Sequence, residues 1–210
     1  MAILRDGDLS LEIRYREFEH GSVYYDIWLR WRGEPVINDA ILKRVNDHWA
    51  KRGTGAVKAG EYEECGILPL LRKVLESNEA DYWQATDPDI LLALYPGGAF
   101  PFPPSNRRLV HERADAKEAR KTREQERATR GPLPDDYIEL MLFVDTYNFE
   151  GSTAYSGSGI CFHMVPMRAD LQGFYETLKQ EYFKFREKWK MQEQNEAQWG
   201  PGYDPPGSDC

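Results

Sequence analysis

The chain is poor in cysteine: Cys65, Cys161 and Cys210 are odd in number, far apart and form no C-x-x-C pair. That fits a reducing cytoplasm better than a disulfide framework. Long apolar runs are also missing. No stretch approaches the roughly 20 residues a membrane-spanning helix needs. Met1-Ala2-Ile3-Leu4-Arg5-Asp6 reaches charged residues at once without an apolar core, so no secretory signal is expected and the expected location is cytoplasmic, with no membrane contact. Histidine is scarce, at four residues, and none pairs at i, i+4. His111-Glu112-Arg113-Ala114-Asp115 ends in aspartate where an H-E-x-x-H zinc motif needs histidine. No glycine loop carries the Lys-Ser/Thr of a P-loop or opens a Rossmann unit, and Ser156 and Ser158 do not complete G-x-S-x-G. Hence no catalytic residue, metal-ligand set or cofactor is expected. Basic charge is in the minority, 27 Lys and Arg against 35 Asp and Glu, for a net of −8 and a pI near 5.1. This argues against a surface devoted to nucleic acid, which requires clustered cations.

What the chain does contain is alternation. Leu9, Leu11, Ile13 and Tyr15 alternate with Ser10, Glu12, Arg14 and Arg16, a period of two that marks a strand with one wet face. After the turn residues His20-Gly21-Ser22, Tyr25, Ile27, Leu29 and Trp31 share one face, with Tyr24, Asp26, Trp28, Arg30 and Arg32 on the other. The two runs should pair antiparallel. Gly33-Glu34-Pro35 ends the ladder, and Ile41, Leu42, Val45 and Trp49 fit either a helix or, over Val36 to Leu42, a short strand. Thr54 to Glu64 is polar and glycine-containing and reads as a connection. Ile67, Leu68, Leu71, Val74 and Leu75 then form a helical stripe with Pro69 tolerated in its first turn. Trp83 to Thr86 is extended, Asp87-Pro88-Asp89 is a turn, and Ile90 to Tyr95 is apolar on both faces, as in a central strand.

Residues 99–134 break the pattern. Ala99 to Asn106 is proline-rich, and Arg107 to Arg130 carries nine Lys/Arg and five Asp/Glu, a local net of +4 that leaves −12 for the rest. Good helix formers without an apolar face predict a solvent-projecting helix or a disordered insertion. Strands resume with Ile138, Leu140, Leu142 and Val144 alternating with Glu139, Met141 and Phe143, and again at Ile160 to Val165. Leu171, Phe174, Tyr175, Leu178, Tyr182, Phe185 and Trp189 mark the longest amphipathic helix. Strand runs followed by helices, with no βαβ rhythm, predict an α+β fold: a two-layer, mostly antiparallel sheet backed by helices. The expected organisation is one α+β domain in two parts, residues 1–98 and 135–191. The proline-rich loop and charged insertion over 99–134 interrupt it, and a disordered tail over 192–210 follows.

Among candidate sites, Cys161 and His163 sit two apart and share a strand face, the arrangement of a thiol and an imidazole base. A small buried thiol is the simpler account. Asp87 and Asp89 could bind a cation, but the spacing also suits an Asx-turn beside proline. Aromatic content is more informative: Tyr24, Trp28 and Trp83 fall on faces or ends expected opposite the core, near Asp26, Glu61, Glu63, Glu64, Asp87 and Asp89. Tyr and Trp anchor interfaces at low entropic cost, and surrounding carboxylates steer a basic partner. The residues expected to bind a partner are Tyr24, Asp26, Trp28, Glu34, Asp87 and Asp89.

Leu9 to Arg16, then Tyr25-Asp26-Ile27-Trp28-Leu29-Arg30, the helix Gly66 to Leu75 and Pro88 to Tyr95 follow an order that resembles WapI-like immunity proteins. Tyr137 to Asp145, Gly159 to Met164 and Leu171 to Leu178 resemble that family's later strands and closing helix. The resemblance implies a small cytoplasmic protein that neutralises the toxin domain, frequently a nuclease, of a contact-delivered polymorphic toxin system by protein binding. It carries over no catalytic or ligand residue, and the insertion at 107–130 departs from the compact family form. The leading expectation is therefore a non-enzymatic binding protein with a basic protein partner. A hydrolase or transferase using a cleft near Cys161 and His163, and an RNA-associated adaptor using Arg107 to Arg130, are the alternatives.

Overall fold

In the computed structural model, the described residues are 1–19, 22–37, 57–62, 66–85, 90–97, 136–145, 149 and 158–199. The first strands follow from alternation. β1 (Ala2–Asp6), β2 (Leu9–Glu19), β3 (Ser22–Trp31), the two-residue β4 (Glu34–Pro35) and β5 (Val57–Tyr62) form a five-stranded antiparallel sheet. β1 pairs with β2 and β2 with β3; β4 and β5 share the other edge of β3, at Arg30–Trp31 and at Ser22–Ile27 respectively. Ala2, Leu4, Leu11, Ile13, Tyr15, Val23, Tyr25, Ile27, Leu29, Val57 and Ala59 point inward and are buried. The register of β2 slips between Tyr15 and Glu17, a bulge that turns the strand's far end.

The second half builds a separate four-stranded antiparallel sheet, β6 (Asp81–Gln84), β7 (Ile90–Pro96), β8 (Ile138–Asp145) and β9 (Gly159–Met164), in that spatial order. β7 is central and buried on both faces, as its continuous apolar run predicts. α1 (Ile67–Ser77) buries Ile67, Leu70, Leu71 and Val74 and ends on Asn78 in the left-handed region at φ +58, whose N–H caps the Val74 carbonyl. α2 (Arg168–Trp199) spans about 48 Å at 1.5 Å per residue. It begins with Asp170 in its first turn, where the helix dipole favours a carboxylate. α2 lies on β1 and β2 and touches α1, which lies on β6 and β7.

Buried residues of both sheets and both helices form one contiguous core. Aromatic rings link its parts: Tyr15 packs on Tyr25 (5.3 Å), Tyr182 (5.5 Å) and Phe185 (5.7 Å), and Tyr25 meets Trp83 edge-on at 6.0 Å. Elsewhere the Val165 N–H donates to Asp6 at 2.7 Å, tying the end of β1 to the segment after β9.

The α+β class, the antiparallel pairing and the helical backing are as the sequence predicts. Alternation does not say which strands share a sheet, and the expected single sheet is two. β5 lies within the stretch read as a connection. Trp83 is 3% exposed and belongs to the core rather than to an outer face. α2 continues to Trp199 through the polar composition that begins near Gln192. The insertion at 99–134, the stretch with Ile41 to Trp49 and the chain beyond 199 lie outside the described residues.

Candidate functional site

The outward face of the five-stranded sheet collects polar and charged side chains because Ala2, Leu4, Leu11, Ile13, Tyr15, Val23, Tyr25, Ile27 and Leu29 take the inward positions of β1, β2 and β3. On β3, Tyr24, Asp26, Trp28 and Arg30 point outward; on β2, Ser10, Glu12 and Arg14; on β1, Ile3 and Arg5. Register sets the neighbours. Arg14 lies opposite Asp26, Glu12 opposite both Trp28 and Ile3, and Ser10 opposite Arg30 and Arg5.

Arg30 Nε donates to Glu12 Oε2 at 3.3 Å, and Arg14 Nη2 stands 3.8 Å from Glu12 Oε1, so a nearly buried carboxylate lies between two guanidiniums. Such charge pairs persist at low exposure because each replaces lost hydration with hydrogen bonds. Arg14 also stacks over the Trp28 ring, 5.2 Å to its centroid, and Arg16 stands 3.8 Å from Asp26 with both side chains under one-fifth exposed. Trp28 is only 4% exposed, so the ring expected to anchor a partner is covered.

Tyr24 is half-buried and lies against Gly60, directly across from it on β5. A Cβ at Gly60 would come within 2.6 Å of the Tyr24 ring, so the glycine makes room for the aromatic. At the far end, the β3–β4 turn holds Arg32 and Gly33 at φ +51 and +89. Arg32 Nε bonds Asp8 at 3.0 Å and its guanidinium lies over the Trp31 ring, joining this turn to the β1–β2 turn. Between these parts runs a groove of about 580 Å³ lined by residues that include Met1, Ile3, Arg5, Asp8, Leu9, Glu12, Arg14, Arg30 and Arg32.

β3 therefore brings three of the expected residues, Tyr24, Asp26 and Trp28, onto one face. Glu34 is exposed on β4, apart from them, and Asp87 and Asp89 lie outside the described residues. The groove arginines were not singled out by sequence. The alternation that placed Arg14 and Arg30 on wet faces was visible, but their meeting with Arg5 and Arg32 depends on β1 pairing and on two turns.

A second cluster lies on the face of the four-stranded sheet away from the main core. Leu91, Ala93 and Tyr95 are buried there, with Tyr82, Met141 and Phe143 packed on them. His163 Nε2 and Glu139 Oε1 are 2.7 Å apart, the carboxylate 3% and the imidazole 48% exposed. Tyr95 lies opposite Glu139, and burial first, then the charges of Glu139 and Cys161, push its phenol up to about 12. Cys161 is exposed, forms no disulfide and lies on the same strand face as His163. The glutamate partner of His163 was not foreseen, since it depends on the β8–β9 register.

Among the described residues no three His, Cys, Asp or Glu side chains are placed to hold a metal ion, and no helix is long and apolar enough to cross a membrane. The basic stretch 107–130 lies outside the described residues. Compared with known proteins, the chain matches no family model, no curated protein and no solved structure.

Proposed function

We propose that this chain is a non-enzymatic protein-binding module that engages its partner through the outward face of the five-stranded sheet, and that it acts as an immunity protein. The carrying observation is the grouping of Tyr24 and Asp26 on β3 with the ion pairs Arg16–Asp26 and Arg30–Glu12 around them, above a Trp28 ring that is itself covered and serves as their support. Mixed charges held in fixed positions beside aromatic rings give register and specificity rather than bulk attraction. At longer range the net charge of −8 draws in a basic partner, such as a nuclease-type toxin domain. Binding alone accounts for neutralisation, with no chemistry required of the chain.

Co-expression supplies the test. Cells producing a candidate toxin domain, identified by affinity capture with this chain, should grow when this chain is present and die when it carries Arg14→Glu. Death in the presence of the intact chain would contradict the immunity role.

A second reading, a hydrolase or transferase, is favoured by one observation: the buried Glu139 carboxylate orients the His163 imidazole on the face that also carries Cys161. It predicts hydrolysis of p-nitrophenyl acetate faster than by free cysteine and lost on combining Cys161→Ser with His163→Gln. A rate equal to that of free cysteine would contradict it.

A further inference from the structure

The groove on the outward face has its own charge balance. Among the described residues, the side chains of Arg5, Arg14, Arg30 and Arg32 line it with Asp8 and Glu12 against them, an excess of two positive charges on a chain whose net charge is −8. The carboxylates occupy parts of these cations: Arg30 uses Nε on Glu12 and Nη1 on the Gly33 carbonyl, and Arg32 uses Nε on Asp8. Arg5 has no carboxylate partner among the described residues. Each guanidinium has five N–H donors, so donors remain for a ligand along the groove. Arg32 is a non-glycine residue held at φ +51, a conformation costing about 1–2 kcal/mol, and its position brings a fourth guanidinium to the mouth of the groove.

We infer that this groove binds an acidic peptide segment of the protein partner, two carboxylates of which neutralise the excess charge. This deepens the binding reading above and rests on it. A peptide suits the site better than a nucleic acid for two reasons. Asp8 and Glu12 stand between the arginines and would repel a continuous phosphate backbone, whereas peptide carboxylates come singly and can be spaced to avoid them. Met1, Ile3 and Leu9 also line the groove, giving apolar contact to intervening peptide side chains.

The test uses the full chain and a fluorescein-labelled deca-glutamate peptide, followed by fluorescence anisotropy at low and at physiological salt, with a labelled ten-residue oligothymidylate in parallel. The peptide should bind, more weakly as salt rises, and at least tenfold more weakly to Arg5→Gln combined with Arg14→Gln. Both side chains lie at the surface, Arg14 at 55% exposure, so the variant should keep its fold, checked by circular dichroism. Arg72→Gln, on the exposed side of α1, should leave binding unchanged. Equal binding by the double variant, no binding by the intact chain, or tighter binding of the oligothymidylate would each overturn the inference. If the double variant still protects cells from the toxin domain, the groove assignment falls and the binding role stands; if the intact chain gives no protection, the immunity role falls whatever the peptide does.

Discussion

Arg32 links backbone strain to the proposed ligand groove. Turns with both central residues at positive φ favour Asn, Asp or Gly, and arginine has no local hydrogen bond with which to offset its Cβ clash. Arg32→Asn should therefore leave stability within about 1 kcal/mol, because relief of strain offsets the loss of a 70%-exposed ion pair. It should nevertheless weaken deca-glutamate binding. Urea unfolding alongside anisotropy checks both, and a loss above about 2 kcal/mol with unchanged binding would contradict this account. Tyr95 gives a second prediction. Its phenol is raised from 10.0 to about 12, so between these values the folded chain holds a proton that the unfolded chain has released. That contribution is intact below pH 10 and is lost as pH rises toward 12. Urea unfolding across this window should show stability falling with pH, and Tyr95→Phe should remove part of the fall; an identical pH dependence in the variant would contradict the assignment.

At the scale of elements, the strands with uninterrupted alternation, β2, β3 and β8, were legible in the sequence because one face of each is committed to the core. β5 was not. Its inward residues are small, Val57 and Ala59, and Gly60 reads as a loop signal although it serves the Tyr24 ring across the ladder. β1 was missed because its short apolar run at the N-terminus has no second turn signal to frame it. The division into two sheets depends on pairings between distant residues, which local pattern does not encode. The same limit separated the site into parts: alternation revealed the outward set on β3, whereas the convergence of Arg5, Arg14, Arg30 and Arg32 required the β1–β2 register. Gly159 tests the pairing of β8 and β9. A Cβ there would collide with the Val144 carbonyl oxygen, a backbone atom that cannot swing away. Gly159→Ala should cost about 1–3 kcal/mol in urea unfolding, with faster amide exchange in β9. Stability equal to the parent would mean that these strands do not pair as described.

For the whole molecule, the net charge of −8 conceals an arginine-lined groove; on the proposed reading the acidic chain attracts a basic partner at a distance and the groove takes carboxylates at contact. Long-range attraction weakens as the Debye length shrinks from about 30 Å at 0.01 M salt to about 8 Å at 0.15 M, while close pairs are screened less. Association with the partner should therefore slow with salt more than dissociation quickens, which stopped-flow mixing can separate. Hydroxyl-radical footprinting tests the central claim most directly, on the chain alone and in complex with the toxin domain. Met1, which lines the groove and is 52% exposed, should become protected, while Ile160, Phe183 and Met191 react as before. Protection confined to Ile160, Phe183 or Met191, with Met1 unchanged, would place the interface elsewhere and contradict the account.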